Sequence, residues 1–241
     1  MTWELYDQLT APLPGDWIVD EVVIGPTWTA VRSGVQVGIS ATGEGTFRPS
    51  PDAAGLTGRT LREVAGLVKS WNFQEAGIGL AAINAWHNRP ERTREISEGD
   101  TDSFLAHAAA CKGRQVAVVG GFPNLKRVFA DAAELSVLER IPGMGEYPDP
   151  ACEYLLPEQD YVFITGSALV NKTMPRLLEL SGNAVTVLLG PSVPCAEVLF
   201  QYGADELGGF SAEKCRDICE MAQISKASIF EWGRRYRVRR G

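Results

Sequence analysis

Residues 161–173 read YVFITGSALVNKT. An apolar run of this kind, rich in β-branched and aromatic side chains, is typical of a strand in a parallel sheet that is covered on both faces. The run ends at Thr165-Gly166-Ser167, where a glycine and two hydroxyl side chains leave the predicted core, and Asn171 then precedes a leucine-rich helical pattern. The stretch therefore predicts a buried strand followed by a helix, with a binding site at the turn between them.

The same alternation of strand and helix extends over residues 96–241. The strand candidates are QVAVVG (115–120), ELSVLE (134–139), YVFITG (161–166), AVTVLLG (184–190) and ADELGGF (204–210). Helical patterns lie between them, at about 124–132, 171–181, 194–202 and 211–222. Apolar strands that alternate with helices predict a Rossmann-like α/β domain with a parallel sheet.

The first 95 residues have a different pattern, which predicts a small α+β domain over 1–95. Its strand candidates, at 17–25, 27–33 and 35–40, are joined in part by a hairpin turn at Ser33-Gly34, and its helical patterns cover 60–70 and 73–88. The long Gly/Pro-rich stretch 41–60 between them is either a functional or a mobile loop. The charged stretch NRPERTREISEGD (88–100) is interpreted as the linker between the two domains.

Composition excludes several classes of function. The net charge of −7 argues against a nucleic-acid surface, since phosphate binding needs basic patches. No apolar run approaches the roughly 20 residues that cross a bilayer, and the first residues lack the order of a signal peptide, so we expect a cytoplasmic protein without membrane contact. The arginine-rich end GRRYRVRRG is either a solvated last strand or frayed end, or an arm for a partner.

The ends of the predicted strands carry the candidate binding residues. In an open parallel sheet, ligands bind beyond the carboxyl ends of the strands, near the switch in strand order. Glycine there lets a ligand approach the backbone. The candidates at these ends are Gly120, Gly121, Phe122, Pro123, Glu139, Thr165, Gly166, Ser167, Asn171, Gly190 and Pro191.

Two of these ends bear on nucleotide binding. Glu139 follows Gly120 by nineteen residues, which is close to the spacing of the acidic residue that binds ribose hydroxyls in dinucleotide-binding folds. However, the turn GGFPNL lacks the G-x-G-x-x-G signature, and Lys172 has no P-loop before it. Nucleotide binding is therefore an alternative that rests on Glu139.

A metal site would have to use carboxylates and thiols. The chain has only two histidines, His87 and His107, which excludes a histidine-rich zinc site. The proline-rich stretch 140–157 is a candidate lid or ligand-binding loop. A metal site of Asp149 and Cys152 from this stretch together with Cys195, with Glu139 as a further candidate, is one interpretation. The five cysteines form no CxxC pair and suit a reducing compartment, and Cys215 and Cys219 are interpreted as core residues.

Four motifs resemble a known family. The stretches GIGLAAINA (77–85), VVGGFP (118–123), ITGSALVNKT (164–173) and LLGPSVP (188–194) are similar to the heavy-metal chelation family DUF364 and its preceding DUF4213 domain. The resemblance implies an N-terminal domain like that of enolase, a Rossmann-like C-terminal domain, and an active site in the cleft between them. By motif match it also adds Asn84 to the candidate cleft residues, and it implies a heavy or transition metal ion as the cofactor.

Three functions therefore stay open. The leading hypothesis is a protein that binds a small anionic or metal-bearing ligand between its domains, with heavy-metal chelation as one form of this. The second is an enzyme that uses a nucleotide or S-adenosylmethionine, with Glu139 on the ribose. The third is a non-catalytic metal-delivery or assembly protein. Whether the chain forms a homo-oligomer is also open.

Overall fold

The computed structural model describes residues 3–43, 52–213, 217–224 and 228–241. They form a three-stranded antiparallel sheet and a seven-stranded sheet. In the larger sheet all strand pairs are parallel except the pair at one edge. The predicted fold class, a Rossmann-like sheet preceded by a small α+β unit, is confirmed. The expected loop at 41–60 falls partly outside the described residues, as do Cys215 and the side chain of Cys219.

The small unit packs one long helix against its sheet. Its strands are β1 (Glu21–Ile24), β2 (Trp28–Ser33) and β3 (Gln36–Ala41), and its helices are α1 (Glu4–Thr10), α2 (Leu61–Ala65) and α3 (Phe73–His87). Helix α3 is apolar around most of its circumference, as expected for a helix that is covered on all sides. Its approach to β3 is so close that a Cβ atom on Gly38 would lie 2.0 Å from the Ala81 carbonyl oxygen.

The strand of the larger sheet that comes first in the chain lies in the middle of that sheet. Its strands are β4 (Gln115–Val119), β5 (Glu134–Glu139), β6 (Tyr147–Pro148), β7 (Tyr161–Thr165), β8 (Val185–Leu189), β9 (Glu206–Ala212) and β10 (Gly233–Arg239). The spatial order is β10-β9-β8-β7-β4-β5-β6. The chain therefore moves outward from β4 to β6 and then returns to β7 on the other side of β4. This is the strand order of dinucleotide-binding folds, and its switch point lies between β4 and β7.

The helices that precede these strands or connect them are short. They are α4 (Pro90–Ile96), α5 (Ser103–His107), α6 (Leu125–Val128), α7 (Cys152–Leu155), α8 (Met174–Leu180), α9 (Val198–Gln201) and α10 (Ile218–Gln223). Several are shorter than the sequence pattern predicts, and 3₁₀ turns supplement them at Ala54–Leu56, Gly66–Lys69, Asp149–Ala151, Leu156–Glu158, Gly166–Leu169 and Ser228–Glu231.

The stretch 88–100, interpreted from sequence as a linker, is folded. Pro90 begins α4, where its missing N–H costs no helical hydrogen bond. Thr93 is buried on the inner side of the helix, and the Glu98 N–H donates to the Arg237 carbonyl at 2.8 Å. The charged residues that suggested a linker lie on the outer side, where Arg94 pairs with Glu213.

The arginine-rich end of the chain is a strand, but it is not simply solvated. Strand β10 pairs antiparallel with β9 along its whole length. Tyr236 is fully buried. The Arg237 guanidinium lies in the interior and donates two hydrogen bonds of 3.0 Å to Glu206. Hydrogen bonding from His107 and Arg237 lowers the pKa of the Glu206 carboxyl, although burial alone would raise it.

The two halves share their hydrophobic interior. One cluster of buried side chains extends from Leu5 in α1 to Tyr236 in β10. A second cluster joins Trp28 and Ile39 of the small sheet to Phe210 and Met221. Helix α10 therefore covers the face of the small sheet that α3 leaves open. The division into domains 1–95 and 96–241 stays a prediction.

Candidate functional site

A cavity of about 1250 Å³ lies at the carboxyl edge of the large sheet. Its floor is formed by the residues that follow β4, β5, β7 and β8, together with Gly208 and Gly209 of β9. The small unit contributes the opposite wall through Trp28, residues 41–43 and Phe73. The cavity thus lies where ligands bind in open α/β sheets, across the switch in strand order.

Most of the predicted site residues line this cavity. They are Gly120, Gly121, Phe122, Pro123, Glu139, Asp149, Cys152, Thr165, Ser167, Asn171, Gly190 and Pro191. The lining does not include Asn84, Gly166 or Cys195. Whether the lining residues bind a ligand stays a prediction.

The turn after β4 and the end of β5 meet in this cavity. Gly120 has a φ of 118°, a conformation that favours glycine, and a Cβ atom there would lie 2.9 Å from the Thr165 side chain. A Cβ atom on Gly121 would lie 2.5 Å from Oε1 of Glu139. The second carboxylate oxygen of Glu139 accepts the Arg140 N–H at 3.1 Å. Glu139 is therefore held against a side-chain-free turn at the switch point.

The turn after β7 carries a chain of short polar contacts. The hydroxyl oxygens of Thr165 and Ser167 are 3.0 Å apart. Asn171 Oδ1 accepts hydrogen bonds from the Thr173 hydroxyl at 2.6 Å and from the Thr173 N–H at 3.1 Å. All four residues line the cavity, so this turn supplies hydroxyl and amide groups to its floor.

Gly166 is needed for a contact within the protein. A Cβ atom there would lie 2.6 Å from the Val193 backbone nitrogen and 2.7 Å from the Ser192 carbonyl carbon. Its φ is not in the left-handed region, so the backbone conformation by itself does not require glycine. Where the sequence suggested a glycine that leaves room for a ligand, the structure has a glycine that lets the turn after β8 pack against the turn after β7.

Asn84 does not line the cavity, but it contacts a residue that does. Its Nδ2 donates to the Ile39 carbonyl at 2.7 Å and to the Ser192 carbonyl at 3.1 Å. One turn further along α3, Asn88 Nδ2 donates to the Val193 carbonyl at 2.9 Å. Two asparagines of the small unit thus position the turn that follows β8. Sequence reasoning missed Asn88, although two amides four residues apart on an apolar helix were a usable signal.

Ser192 is another residue that sequence reasoning left out of the site. Its hydroxyl oxygen accepts the Ala41 N–H at 2.8 Å, and Ser192 lines the cavity. It therefore joins the end of β3 to the end of β8 at the cavity wall.

The candidate metal donors do not come together. Among the described residues there is no group of three or more His, Cys, Asp or Glu side chains that could hold a metal ion. Cys152 lines the cavity, but Cys195 does not, and its backbone N–H donates to Asn88 instead. Burial raises the pKa of the Cys152 thiol to about 12 and that of Cys195 to about 11. Because only one of these two thiols lines the cavity, they do not form a shared metal site there.

Asp149 also lacks the setting of a strong metal ligand. Burial raises the pKa of its carboxyl, while the nearby Arg140 lowers it. The Arg140 Nε atom lies 3.6 Å from the Asp149 carboxylate. Asp149 therefore already has a cation as its neighbour.

Both histidines are engaged inside the protein. His87 Nε2 lies 3.0 Å from the Leu9 carbonyl oxygen, and burial lowers its pKa to about 4. His107 Nε2 lies 3.0 Å from the Glu206 carboxylate. Neither histidine lines the cavity, so neither is placed to act as its general base.

Aromatic and charged residues, most of them not identified from sequence, complete the lining. Phe73, Phe104, Phe122, Phe230 and Trp28 supply apolar walls; the charged members are Asp102, Arg127, Glu139, Arg140, Asp149, Glu153, Arg176 and Arg235. Arg140 lies over the Phe73 ring, and Arg235 lies over the Phe230 ring. The cavity thus suits an organic molecule with flat and polar parts.

The strand order and the cavity at the sheet edge define a Rossmann-like protein with a small α+β unit over its ligand edge. A family model described as "Putative heavy-metal chelation", DUF364, matches residues 103–230, and DUF4213, with the same description, matches residues 6–87. The chain belongs to the DUF364 family, which confirms the resemblance seen in its four motifs.

Similar proteins with solved structures confirm the fold. A DUF364 protein of unknown function from Desulfitobacterium hafniense is 42% identical, with a TM-score of 0.90 over 99% of this chain and 98% of its own. A second, from Pyrococcus horikoshii, is 20% identical, with a TM-score of 0.82 over 98% of this chain and 100% of its own.

A curated relative is the uncharacterized protein MJ0500 of Methanocaldococcus jannaschii. It is 31% identical over 152 residues, which are 59% of this chain. The chain spans 56% of the length of that relative.

Within the described part of the chain, no helix is both long and apolar enough to cross a bilayer.

Proposed function

We propose that this protein binds a small organic ligand in the cavity at the carboxyl edge of its large sheet, and that the ligand contains a ribose held by Glu139. The observation that carries the proposal is the position of the Glu139 carboxylate. It ends the second strand of a dinucleotide-type order and lies against Gly121, where a Cβ atom would be 2.5 Å from Oε1. A carboxylate at this position accepts hydrogen bonds from both hydroxyls of a ribose.

The rest of the lining supports a nucleoside. The rings of Phe104 and Phe122 are 5.1 Å apart in an edge-to-face arrangement, and both lie in the cavity wall. Such rings give a flat base an apolar surface to stack on. The turn after β4 is not followed by a long helix, since α6 covers only Leu125–Val128. The proposal is therefore for a nucleoside group, without a pyrophosphate on a helix terminus.

The family description adds a second candidate, heavy-metal chelation. The donors of this chain do not form a site for a bare ion within the described residues. A metal in this cavity would therefore be held mainly by the organic ligand, and the protein would bind the complex. Binding of a metal-bearing organic ligand is therefore the kind of metal binding that agrees with both the family description and this cavity.

The test is a comparison of ligand responses in matched variants. Adenosine, S-adenosylmethionine, NAD and Zn²⁺ would be added singly, and the melting temperature measured, because a ligand that binds only the native state raises it. We expect at least one of the adenosine compounds to raise the melting temperature. Glu139→Gln should weaken its binding by at least about tenfold, since a charge-assisted hydrogen-bond pair contributes roughly 1.5–3 kcal/mol.

Glu158→Gln is the matched control. Glu158 is exposed and outside the cavity, so this variant loses the same charge and should respond like the unsubstituted protein. The proposal is wrong if no adenosine compound raises the melting temperature, or if Glu139→Gln binds as tightly as Glu158→Gln. A response to Zn²⁺ alone would favour metal binding by the protein itself.

A further inference from the structure

We propose that the end of the cavity farthest from Glu139 binds an oxyanion, either a carboxylate or a phosphate. This end contains Trp28, Asp102, Phe230 and Arg235, which we call the Arg235 subsite. The inference rests on the proposed function in one respect, because the oxyanion is taken to belong to the ligand of the same cavity.

Arg235 stacks on an aromatic ring and has one long ion pair, with Asp102. Its guanidinium lies 3.6 Å from the centre of the Phe230 ring, a distance at which the two planes stack. Among the described residues, no atom accepts a hydrogen bond from this guanidinium, and the side chain is 34% exposed. Stacking holds a planar group of five donors in one orientation, which matches the geometry of a carboxylate or phosphate.

Two carboxylates lie near Arg235, and each has another partner. Oδ2 of Asp102 is 3.9 Å from Arg235 Nε, which is beyond hydrogen-bond distance. Oδ1 of Asp102 accepts the N–H groups of Phe104 and Leu105 at the start of α5. Asp100 Oδ1 accepts the backbone N–H of Arg235 at 2.8 Å. These carboxylates orient the neighbourhood of the guanidinium and leave its hydrogen-bond donors for a ligand.

Trp28 provides an independent indication. Its side chain is 3% exposed and forms part of the cavity lining, yet its indole Nε1 has no acceptor in the described structure. An unpaired buried donor costs about 1–3 kcal/mol, so such groups usually have a partner. Trp28 packs in the same hydrophobic cluster as Phe230 and lines the same cavity as Arg235, so its indole group reports on this end of the cavity.

The two ends of the cavity indicate the shape of the ligand. Glu139 belongs to β5 and Arg235 to β10, five places apart in the sheet. At about 4.8 Å between neighbouring strands, their backbones are separated by roughly 24 Å, which the two side chains shorten. A nucleoside that occupies the Glu139 end therefore does not reach Arg235 by itself. We infer an elongated ligand with an acidic group remote from its ribose.

The test measures the NMR signal of the Trp28 indole N–H group. Protein labelled with ¹⁵N would be titrated separately with acetate and with inorganic phosphate, and the resonance assigned with Trp28→Phe. We expect one of these anions to shift the Trp28 indole signal saturably, and the comparison identifies a carboxylate or a phosphate. Arg235→Gln should weaken this binding by at least about tenfold, as expected for loss of a charge-assisted contact.

Arg234→Gln is the matched control, since Arg234 is the neighbouring residue of β10 and does not line the cavity. If Arg235→Gln does not fold, Arg235→Lys keeps the charge and removes the planar fork, and it should also bind more weakly. The inference is overturned if neither anion moves the Trp28 signal, or if the Arg235 variants bind as Arg234→Gln does. Because the probes contain no ribose, a shift of the Trp28 signal without any adenosine response would refute the ribose at Glu139 and leave the oxyanion subsite standing.

Discussion

Lys172 is a buried cation without an acidic partner among the described residues. It has a left-handed backbone with a φ of 70°, and its side chain is 4% exposed. Its Nζ donates to the Val170 carbonyl at 2.5 Å and lies about 6 Å from the rings of Tyr6 and Phe73. Burial lowers the pKa of this amine to about 8. The charged form is therefore less favourable in the folded protein than in the unfolded chain.

This lowered pKa predicts a pH dependence of stability. Between pH 8 and about 10.4, the unfolded chain keeps a proton that folded Lys172 has lost, so the free energy of unfolding gains a contribution that rises with pH. Below pH 8 both states are protonated, and the folded state bears the full cost of burying the charge. We expect Lys172→Met to be more stable than the unsubstituted protein at pH 7, with the difference shrinking toward pH 10.

Urea unfolding at pH 7, 8, 9 and 10 measures this difference. Lys112→Met serves as the control, because the Lys112 side chain is 73% exposed and its substitution should not change the pH profile. A difference between Lys172→Met and the unsubstituted protein that stays constant over this range would contradict the prediction.

At the scale of elements, the helical structure of α4 leads to a prediction about the order of trypsin cleavage. Arg94 in α4 and Arg140 after β5 have similar side-chain exposure, 54% and 52%. Their backbones differ, because Arg94 is in a helix that is anchored by Thr93, whereas Arg140 follows the last residue of a strand at a loop. Since trypsin needs an extended, locally unfolded segment, we expect cleavage after Arg140 to precede cleavage after Arg92 or Arg94.

Mass spectrometry of a time course identifies these fragments, and Arg140→Gln should remove the early ones. Fragments that end at Arg92 or Arg94 and appear first would contradict this prediction and support the interpretation of 88–100 as a linker.

Some elements of the fold can be predicted from the sequence, and others cannot. The strands β4, β5, β7 and β8 begin and end within a residue of their predicted limits, because a strand covered on both faces is a continuous apolar run. Helix α4 was missed because its seven residues bury little more than Thr93 and show no clear apolar period. Its helical structure depends on contacts with β10, which no local pattern records.

Part of the candidate site could also be predicted from the sequence. Glycines and hydroxyl residues at strand ends identified the part of the cavity lining that follows β4, β5, β7 and β8, since those positions follow from the strand pattern alone. The role of Gly166 could not be read in this way, because it depends on a contact with residues 192 and 193 from the next strand. The Arg235 subsite combines β2, the start of α5 and β10, and sequence spacing carries no information about that meeting.

At the scale of the molecule, the shared interior predicts cooperative unfolding. Tyr6 of α1 donates to the Leu169 carbonyl at 3.2 Å, and Tyr236 of β10 donates to Asn88 Oδ1 at 3.3 Å, so hydrogen bonds join the two halves. One buried cluster extends across both halves, so unfolding of one half would expose part of the core of the other. We therefore expect a single unfolding transition, although the sequence suggests two domains.

Urea unfolding, monitored both by tryptophan fluorescence and by far-ultraviolet circular dichroism, tests for a single transition. The two probes should give coincident curves, and the calorimetric and van't Hoff enthalpies should agree. Asn88→Ala, which removes hydrogen bonds between α3 and the residues after β8, should lower the midpoint without separating the curves. Two resolved transitions would instead support independent domains at 1–95 and 96–241.

The position of β10 has a consequence for synthesis of the protein. This strand is built from residues 233–239, yet Tyr236 within it contacts Asn88 of α3, 148 residues earlier in the chain. Until residues 233–239 have left the ribosome exit tunnel, β9 has an unpaired edge, and Glu206 lacks the arginine that neutralises it. Native packing around α3 is completed only after these residues leave the exit tunnel, so a chaperone that shields the β9 edge would act during this interval.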